Sequence, residues 1–589
     1  MILALIFNIA IGYGVLVSID NLTAKAETKT ADVLNLAENR AILFVQDLFN
    51  RYAGNMNGKM RDDDAQILAM QNQFDVLNYD LSLSFDIPSK TLIGEMNMTA
   101  NSVSDTLNTV YLNLFSNMLV DKVKFNDHTN ILYDASFRQE NDYIIITLNK
   151  TVKNNRQFEI TVKYSGKPKT MGFDSFVFKD IYGSPVIYSL SEPTYGPTWW
   201  PSKDLPDDKA LSSMHIRVPR GLTGVSNGLM KDSVQNDDGT TTFNWKTSYP
   251  IATYLISIVV ANFTFHENTY TSLDNNIQMP VVYYIFPQDS AKLDKEWDKT
   301  PDMIHFYAST YGEYPFINEK YGMAEFGWTQ GSMENQTLTS MGYLIGSDED
   351  VVVHELSHQW FGDGVTLADW KNIWLNEGFA TYSEALWHEH TGGRNEYLNY
   401  MKRIDFGYFS ETVYNPNGFI FSPTVYATVY QKGGWVLHML RGIVGDSIFF
   451  DIMRTYFSRF EYKNADTKDF QAVVEELYGQ NMDWFFDEWV YTGKGRPKYE
   501  YSWKFEDFQD LKNTGNYTVK LNIKQVQDDL DVYKMPVKIT IITENGDKNF
   551  TVFNDKREQD YVLATDSKPK EVRIDSEGWI LKKVAKGKY

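Results

Sequence analysis

Apolar and polar residues alternate along much of the first half of the chain. In YDLSLSFDI the apolar side chains Tyr79, Leu81 and Leu83 are separated by polar ones. This two-residue period places them on one face of a half-buried strand. DYIIITLNK and QFEITVKYSG continue the pattern, with Gly, Asn and Asp turns between the segments. We therefore predict an all-β domain at 73–275.

A helical period replaces this alternation between residues 276 and 495. Apolar residues recur at helical spacing in DWKNIWLNEGFATYSEALWHEH, GGWVLHMLRGIVG and TKDFQAVVEELYG. Alternation returns near the end of the chain, where Val519, Leu521 and Ile523 share one face. The chain is thus predicted to be a multidomain α+β protein. Its all-β domain is followed by a mainly helical domain at 276–495 and a small β-sandwich at 496–589.

The N-terminal segment differs from the rest of the chain. It is apolar from Ile2 to Ile19 and is followed by the small-x-small triplet that ends at Ala26. A signal peptide at 1–26 has this pattern. So does a membrane anchor, because the apolar run is close to the minimum of about 17 residues that spans a bilayer. Both interpretations predict an exported protein, periplasmic, secreted or at the cell surface, and the anchor would attach it to a membrane. A helical or irregular lead-in is predicted at 27–72.

Charge and composition narrow the range of partners. The chain has 56 Lys and Arg residues against 77 Asp and Glu residues, a formal net charge of −21. Such a surface repels a phosphate backbone, so nucleic acid is not an expected partner. The chain has no cysteine, which excludes thiol nucleophiles and thiolate ligands. Any bound metal must therefore be held by histidine and carboxylate side chains.

The segment VVVHELSHQWFG carries the strongest chemical signal. Positions four apart on a helix point the same way, so His354 and His358 can direct both imidazoles at one metal ion. Glu355 lies one position further round the helix. There it can reach a water at the open coordination position and serve as a general base.

A third ligand is available in WLNEG. Glu377 follows His358 by nineteen residues, beyond the turn-forming GDGVTLAD, and is predicted to lie on the next helix. Two imidazoles, one carboxylate and a water suit one zinc ion. Glu384 returns to the same helix face seven residues later. Two roles stay open for it: a hydrogen bond to a ligating imidazole, or an ordinary exposed glutamate.

Four motifs in this order resemble peptidase family M1, the zinc aminopeptidases. They are GSMEN at 331–335, HELSH at 354–358, WLNEG with Glu377, and YQKG at 430–433. The resemblance implies a thermolysin-like, mainly helical catalytic domain behind a β domain. It also implies a zinc-dependent aminopeptidase that acts on peptides with a free N-terminus and releases single amino acids.

The resemblance assigns roles to residues outside the HELSH helix. Glu334 of GSMEN would bind the substrate's free amino group, because an ammonium needs a carboxylate at a fixed distance from the scissile carbonyl. The backbone of Gly331, Ser332 and Met333 would pair with the substrate as an added strand. Glu192, in SEPTYGPTWW, stands where the family carries a second amine-binding residue.

Tyr430 of YQKG matches the tyrosine that donates a hydrogen bond to the developing oxyanion in the family. In the implied mechanism, Glu355 takes a proton from the attacking water and returns it to the leaving amine. Two alternatives stay open. One is a thermolysin-like zinc endopeptidase, which lacks the amine clamp, and the other is a catalytically silent binding module of the same fold.

Overall fold

The computed structural model describes most of the chain from Ala65 onwards. The segment predicted to be a signal peptide or anchor, and the lead-in as far as residue 64, lie outside the described residues. The described ranges are 65–127, 132–292, 297–344, 348–405, 409, 411–416, 418, 423–509 and 515–587.

The described residues fall into two compact units. The first consists of the residues up to Asp369, with Phe421–Pro423 and Phe460–Asn464. The second consists of Trp370–Ile420, Thr424–Arg459 and Ala465–Tyr589. The first unit is rich in strands, and the second is helical before it ends in strands.

The strands of the first unit follow one another at short intervals, with turns between them. In chain order they are β1 (Phe74–Asp86), β2 (Thr91–Ser102), β3 (Leu107–Asn113), β4 (Met118–Asn126), β5 (Leu132–Asp134), β6 (Ser136–Glu140), β7 (Tyr143–Val152), β8 (Gln157–Gly166), β9 (Phe176–Ile181), β10 (Ser184–Ser189), β11 (Leu211–Pro219), β12 (Thr223–Ser226), β13 (Leu229–Gln235), β14 (Thr240–Lys246), β15 (Ile258–Ala261), β16 (Thr264–Thr271), β17 (Gln278–Ile285), β18 (Tyr321–Phe326), β19 (Leu338–Gly342) and β20 (Thr366–Leu367).

An eight-stranded sheet forms the frame of the first unit. Its strand order is β13, β14, β11, β1, β2, β8, β4 and β5. β1 pairs antiparallel with β2 and parallel with β11, so that Leu81 faces Met96 on one side and Met214 on the other. Tyr79, Leu81 and Leu83 are buried, because alternation along β1 turns one face towards the core.

Three smaller sheets complete the β part of this unit. Their strand orders are β3, β7, β6; β12, β15, β10, β9; and β16, β17, β18, β19. In the last of these, β17, β18 and β19 pair in parallel. β19 is an edge strand of that sheet, and the GSMEN segment precedes it in the chain.

Helices dominate the chain between residues 300 and 492. The α-helices are α1 (Ala65–Gln71), α2 (Thr300–Tyr311), α3 (Glu349–Ser357), α4 (Trp374–Arg403), α5 (Pro423–Ala427), α6 (Gly433–Val444), α7 (Asp446–Phe460), α8 (Thr467–Tyr478) and α9 (Asp483–Phe486). Two π-helical turns follow α5 and α9, at Thr428–Lys432 and Asp487–Thr492. Short 3₁₀ turns lie at Gly196–Thr198, Thr253–Leu255, Pro287–Lys292, Trp297–Lys299 and Trp370–Asn372.

Two sheets end the second unit. After the short β21 (Asn464–Ala465), the strands are β22 (Lys498–Gln509), β23 (Gly515–Gln525), β24 (Met535–Thr543), β25 (Gly546–Asn554), β26 (Glu558–Thr565), β27 (Pro569–Ile574) and β28 (Lys583–Lys586). One sheet has the order β26, β23, β22, β28, and the other has β25, β24, β27. Val519, Leu521 and Ile523 on β23 are buried, as the alternating pattern predicts.

The helices of the described part of the chain are not membrane spans. None of them is both long and apolar enough to cross a bilayer.

Candidate active site

The HELSH histidines lie on one short helix of the first unit. α3 begins after Asp348, whose side chain accepts a hydrogen bond from the Asp350 amide, which is a typical N-cap. His354 lies within α3, and His358 follows its last residue. Their ring centroids are 4.8 Å apart, and both side chains are buried. The spacing of four thus brings the two imidazoles side by side.

A backbone carbonyl orients the ring of His358. Its Nδ1 lies 3.0 Å from the carbonyl oxygen of Phe361. A carbonyl can only accept, so Nδ1 carries the proton and Nε2 keeps its lone pair. This is the tautomer that a ligating histidine needs, and the carbonyl also holds the ring in one orientation.

Aromatic packing holds α3 in place. Phe361 meets Tyr311 edge-on at 4.9 Å between ring centroids, and the Trp360 indole donates a hydrogen bond to the Gly312 carbonyl at 2.9 Å. Val351–Val353 are fully buried on the same helix. These contacts tie α3 to the end of α2.

Glu377 completes a group of three potential ligands. It lies in the first turn of α4 and is buried. His354 and His358 offer two imidazole nitrogens from the first unit, and Glu377 offers a carboxylate oxygen from the second. Two neutral imidazoles and a carboxylate in a buried setting are a donor set that zinc accepts, with a fourth position left for water. The residues present therefore fit a zinc ion.

Glu355 and Asp363 add two buried carboxyls to this region of the first unit. Glu355 is 3% exposed and Asp363 is 0% exposed. Burial raises the pKa of the Asp363 carboxyl well above its usual range, the Glu334 carboxylate raises it further, and His358 opposes the rise. Gln359, which directly follows His358, donates to the Asp363 carboxyl at 2.7 Å and to the Glu334 carbonyl at 3.3 Å, so the GSMEN segment lies close to the helix of the two histidines.

Met333 of the GSMEN segment forms an isolated antiparallel bridge with Ser340 of β19. The Met333 amide donates to the Ser340 carbonyl at 2.9 Å, and the Ser340 amide donates to the Met333 carbonyl at 2.8 Å. Both backbone groups of Met333 thus have a partner within the protein. The substrate pairing of Gly331, Ser332 and Met333 stays a prediction.

Glu334 and Glu192 form a buried pair of carboxylates. Glu334 is 3% exposed, Glu192 is 6% exposed, and an oxygen of one lies within 4.8 Å of an oxygen of the other. Glu192 comes soon after β10, in a loop where the Trp199 indole donates to the Ser191 hydroxyl at 3.1 Å. Two negative charges so close together in a buried site favour the binding of a cationic group.

Tyr430 lies on the π-helical turn Thr428–Lys432 of the second unit. Its ring stacks on Tyr426 at a centroid distance of 4.0 Å. The adjacent Lys432 amine is buried and donates to the Gly493 carbonyl at 2.5 Å, and burial lowers its pKa to about 7. Tyr426 thus packs against the Tyr430 ring, and a hydrogen bond holds Lys432 two residues further along the chain.

Two glycines let the Tyr430 turn approach the helix of Glu377. A Cβ added at Gly433 would lie 2.9 Å from the Cα of Gly378, and a Cβ added at Gly378 would lie 2.9 Å from the Cα of Gly433. No side chain fits between the two backbones, which explains why Glu377 and Lys432 are each followed by glycine.

Comparison with known proteins places the chain in a family. The model of the peptidase M1 N-terminal domain matches residues 76–255, and the model of the peptidase family M1 domain matches residues 295–489. The chain belongs to peptidase family M1. The predicted fold class, with a β-rich N-terminal domain, a helical catalytic domain and C-terminal strands, is confirmed.

Relatives of this M1 family member include named aminopeptidases. Glutamyl aminopeptidase of Rattus norvegicus is 26% identical over 453 residues, 70% of this chain and 46% of that protein. An M1 zinc metallopeptidase of Deinococcus radiodurans is 26% identical, with a TM-score of 0.62 over 71% of this chain and 93% of that one. A mutant of the Deinococcus protein bound to a Tyr-Ser-Ala substrate is 25% identical, with a TM-score of 0.61 over 71% of this chain and 95% of that one. The chain spans about half the length of the curated relatives it matches.

The sequence left two roles open for Glu384, and the burial of its side chain decides against one of them. Its side chain is 8% exposed, so it is not an ordinary exposed glutamate. The Tyr400 hydroxyl donates to one of its oxygens at 2.8 Å. The hydrogen bond predicted for Glu384 towards a ligating imidazole stays a prediction.

Motif reading missed the residues that hold this M1 site together. Gln359 follows His358 directly, and Lys209 lies far away in sequence. The Lys209 amine donates to the carbonyls of Asp363 and Gly364 at 2.8 and 3.1 Å, and burial lowers its pKa to about 7 against the opposing charge of Asp363. A polar side chain directly before the apolar Trp360 and Phe361 was the available signal for Gln359. Nothing local marks Lys209.

The glycine contact generates a stability prediction. Gly433→Ala should be less stable than Gly434→Ala by about 1–3 kcal/mol, because only the first forces two backbones apart. The Gly434 variant is a matched control with the same gain in helix propensity. Its Cβ would meet the Thr381 side chain at 3.2 Å and the Tyr382 backbone nitrogen at an ordinary contact distance of 3.6 Å. Urea unfolding of both variants measures the difference, and equal stabilities would show that the glycine contact is not needed.

Proposed function

We propose that this M1 family member is a zinc aminopeptidase that hydrolyses the first peptide bond of substrates with a free amino terminus. His354, His358 and Glu377 would hold one zinc ion. Glu334 and Glu192 would bind the substrate's ammonium group, and Gly331 and Ser332 would align its backbone. The named aminopeptidases among its relatives support this assignment.

One observation carries the proposal. The backbone carbonyl of Glu334 accepts a hydrogen bond at 3.3 Å from Gln359, the residue that follows His358. A carboxylate suited to an ammonium group is thus attached to the end of the helix that bears the metal-binding histidines. That arrangement restricts cleavage to the bond nearest the free amino group, because binding at one end fixes which carbonyl reaches the metal.

The side chains divide the chemistry between them. When bound, zinc would polarise the scissile carbonyl and make water more acidic. Glu355 would accept the proton of the attacking water and pass it to the leaving amine. The Tyr430 hydroxyl would donate a hydrogen bond to the oxygen that gains negative charge. The buried setting strengthens each of these interactions by excluding water.

A pair of matched peptides tests the proposed function. A peptide with a free amino terminus should be cleaved at its first bond at least about 100-fold faster than its N-acetylated twin, since acetylation removes the charge that Glu334 and Glu192 would bind. A chelator should abolish cleavage, and added zinc should restore it. Equal cleavage of both peptides would favour an endopeptidase, and no chelator-sensitive cleavage of either would favour a silent binding module.

The role of Glu355 has its own test. Glu355→Gln should retain zinc but lower kcat by about 100- to 10,000-fold, the usual contribution of a positioned general base. Glu349→Gln is the control on the same helix, because Glu349 pairs with Lys299 at 2.9 Å on the partly exposed first turn. Metal analysis and steady-state kinetics of both variants check this. A Glu355→Gln variant with near wild-type kcat would remove Glu355 from the mechanism.

We also propose that the chain is exported, on the basis of its apolar segment Ile2 to Ile19. When the full chain is expressed in a cell with a secretory pathway, it should leave the cytoplasm. Intact-mass measurement distinguishes the two forms of export: a chain beginning at Glu27 indicates a cleaved signal, and a membrane-bound chain with its full N-terminus indicates an anchor. A full-length chain found only in the cytoplasm would contradict the proposal.

A further inference from the structure

Gln359 makes an unusually complete set of contacts for a side chain with no assigned role. It is 0% exposed. Its Nε2 donates to the Glu334 carbonyl at 3.3 Å and to the Asp363 carboxyl at 2.7 Å. Its Oε1 accepts from the Thr337 amide at 2.9 Å. The Gln359 side chain is therefore hydrogen-bonded to the backbone at Glu334 and at Thr337, on both sides of the turn between them.

The partners fix the orientation of this amide. The Thr337 N–H can only donate, so it must face Oε1, and the Glu334 carbonyl can only accept, so it must face Nε2. The Tyr314 hydroxyl lies 3.1 Å from Oε1 and also 3.1 Å from the Lys320 carbonyl, so its single proton serves one acceptor at a time. A rotated amide would break both backbone contacts.

The backbone of Thr337, in the segment that Gln359 contacts, adopts an unfavourable conformation. Its φ is +60°, in the left-handed region that a β-branched residue rarely adopts. Its hydroxyl accepts from the Gly228 amide at 2.8 Å, and its carbonyl accepts from the Lys320 amine at 2.9 Å. Strain of this kind persists only where surrounding contacts enforce it, and Gln359 supplies the contact at the Thr337 amide.

The other side of the segment is fixed by the β part of the first unit. The Asn227 amide group donates to the Gln336 carbonyl at 2.6 Å and to the Leu255 carbonyl at 3.1 Å. The Ser257 backbone amide donates to the Asn227 side-chain oxygen Oδ1 at 2.9 Å. Two buried side-chain amides thus hold the Glu334–Thr337 stretch: Asn227 at Gln336, and Gln359 at Glu334 and Thr337. Of the two, Gln359 is the one next to a HELSH histidine.

We propose that Gln359 is a positioning residue that sets the distance between the metal-binding histidines and the ammonium-binding Glu334. The proposal rests on the function proposed above and adds the residue that enforces its geometry. Gln359 follows His358 directly, so the link from imidazole to Glu334 backbone passes through one side chain. Loss of that link should loosen the amine site and leave the metal site intact.

A pair of metal-binding probes separates these two effects. Leucine hydroxamate carries an amino group beside its zinc-binding group, and 4-methylpentanohydroxamate is the same molecule without the amine. Calorimetric titration of the zinc-loaded full chain gives a dissociation constant for each. The ratio of the two constants measures what the amine site contributes, independently of turnover.

The wild-type chain should bind the amino compound about tenfold or more tightly than its deamino twin, as expected for a charge-assisted contact. In Gln359→Met that preference should fall to about threefold or less. The affinity for the deamino compound and the zinc content should stay at wild-type levels. Gln359→Glu should also lose the preference for the amino compound. Its added negative charge alone would strengthen ammonium binding, so such a loss would reflect a change in geometry and not in charge.

Gln525→Met is the matched control. Gln525 is a fully buried amide that donates to the Tyr533 carbonyl and accepts from the Tyr533 amide, within the C-terminal sheets. It should keep the wild-type preference. The inference is overturned if both Gln359 variants keep the preference, if zinc content and deamino affinity fall together with it, or if Gln525→Met loses it equally. A wild-type chain without any preference would instead contradict the proposed amine capture itself.

Discussion

The active site depends on burying many ionisable side chains in a small region of the first unit. Glu192, Glu334, Glu355 and both HELSH histidines are at most 6% exposed. A buried charge is costly unless hydrogen bonds, a counter-charge or a metal compensate it. Neutral amides, backbone carbonyls and two lysines provide the compensation that is visible within the unit. The His358 imidazole donates a hydrogen bond to the Phe361 carbonyl, and the Asp363 carboxyl accepts one from the Gln359 side-chain amide.

This constraint explains why the supporting residues are neutral or weakly basic. Burial lowers the pKa of Lys209 and of Lys320 to about 7, so each amine donates hydrogen bonds to carbonyls while its charge is easily given up. An arginine in either place would keep its charge at any physiological pH. These two lysines therefore add less fixed positive charge beside the buried carboxylates than arginines would.

The sequence predicted the parts of this protein that depend on local pattern. Alternation located β1 and β23, and the spacing of four put His354 and His358 side by side. The resemblance to family M1 supplied Glu334, Glu192 and Tyr430, which periodicity alone would have left unremarked. Contacts between residues far apart in sequence could not be predicted from local pattern. Lys209, for example, lies 154 positions before Asp363, whose carbonyl accepts its hydrogen bond. The backbone pairing of Met333 with Ser340 was missed because both partners sit in irregular or short extended stretches.

An amide is the side chain best suited to position 359 on physical grounds. The site there presents one backbone donor, from Thr337, and one backbone acceptor, from Glu334. A carboxylate could satisfy only the donor and would add a charge beside Glu334. An amine could satisfy only the acceptor and would compete with the substrate's ammonium group for that carboxylate. Glutamine satisfies both partners without charge, so it joins the metal-binding helix to the amine-binding segment while leaving the electrostatics of each unchanged.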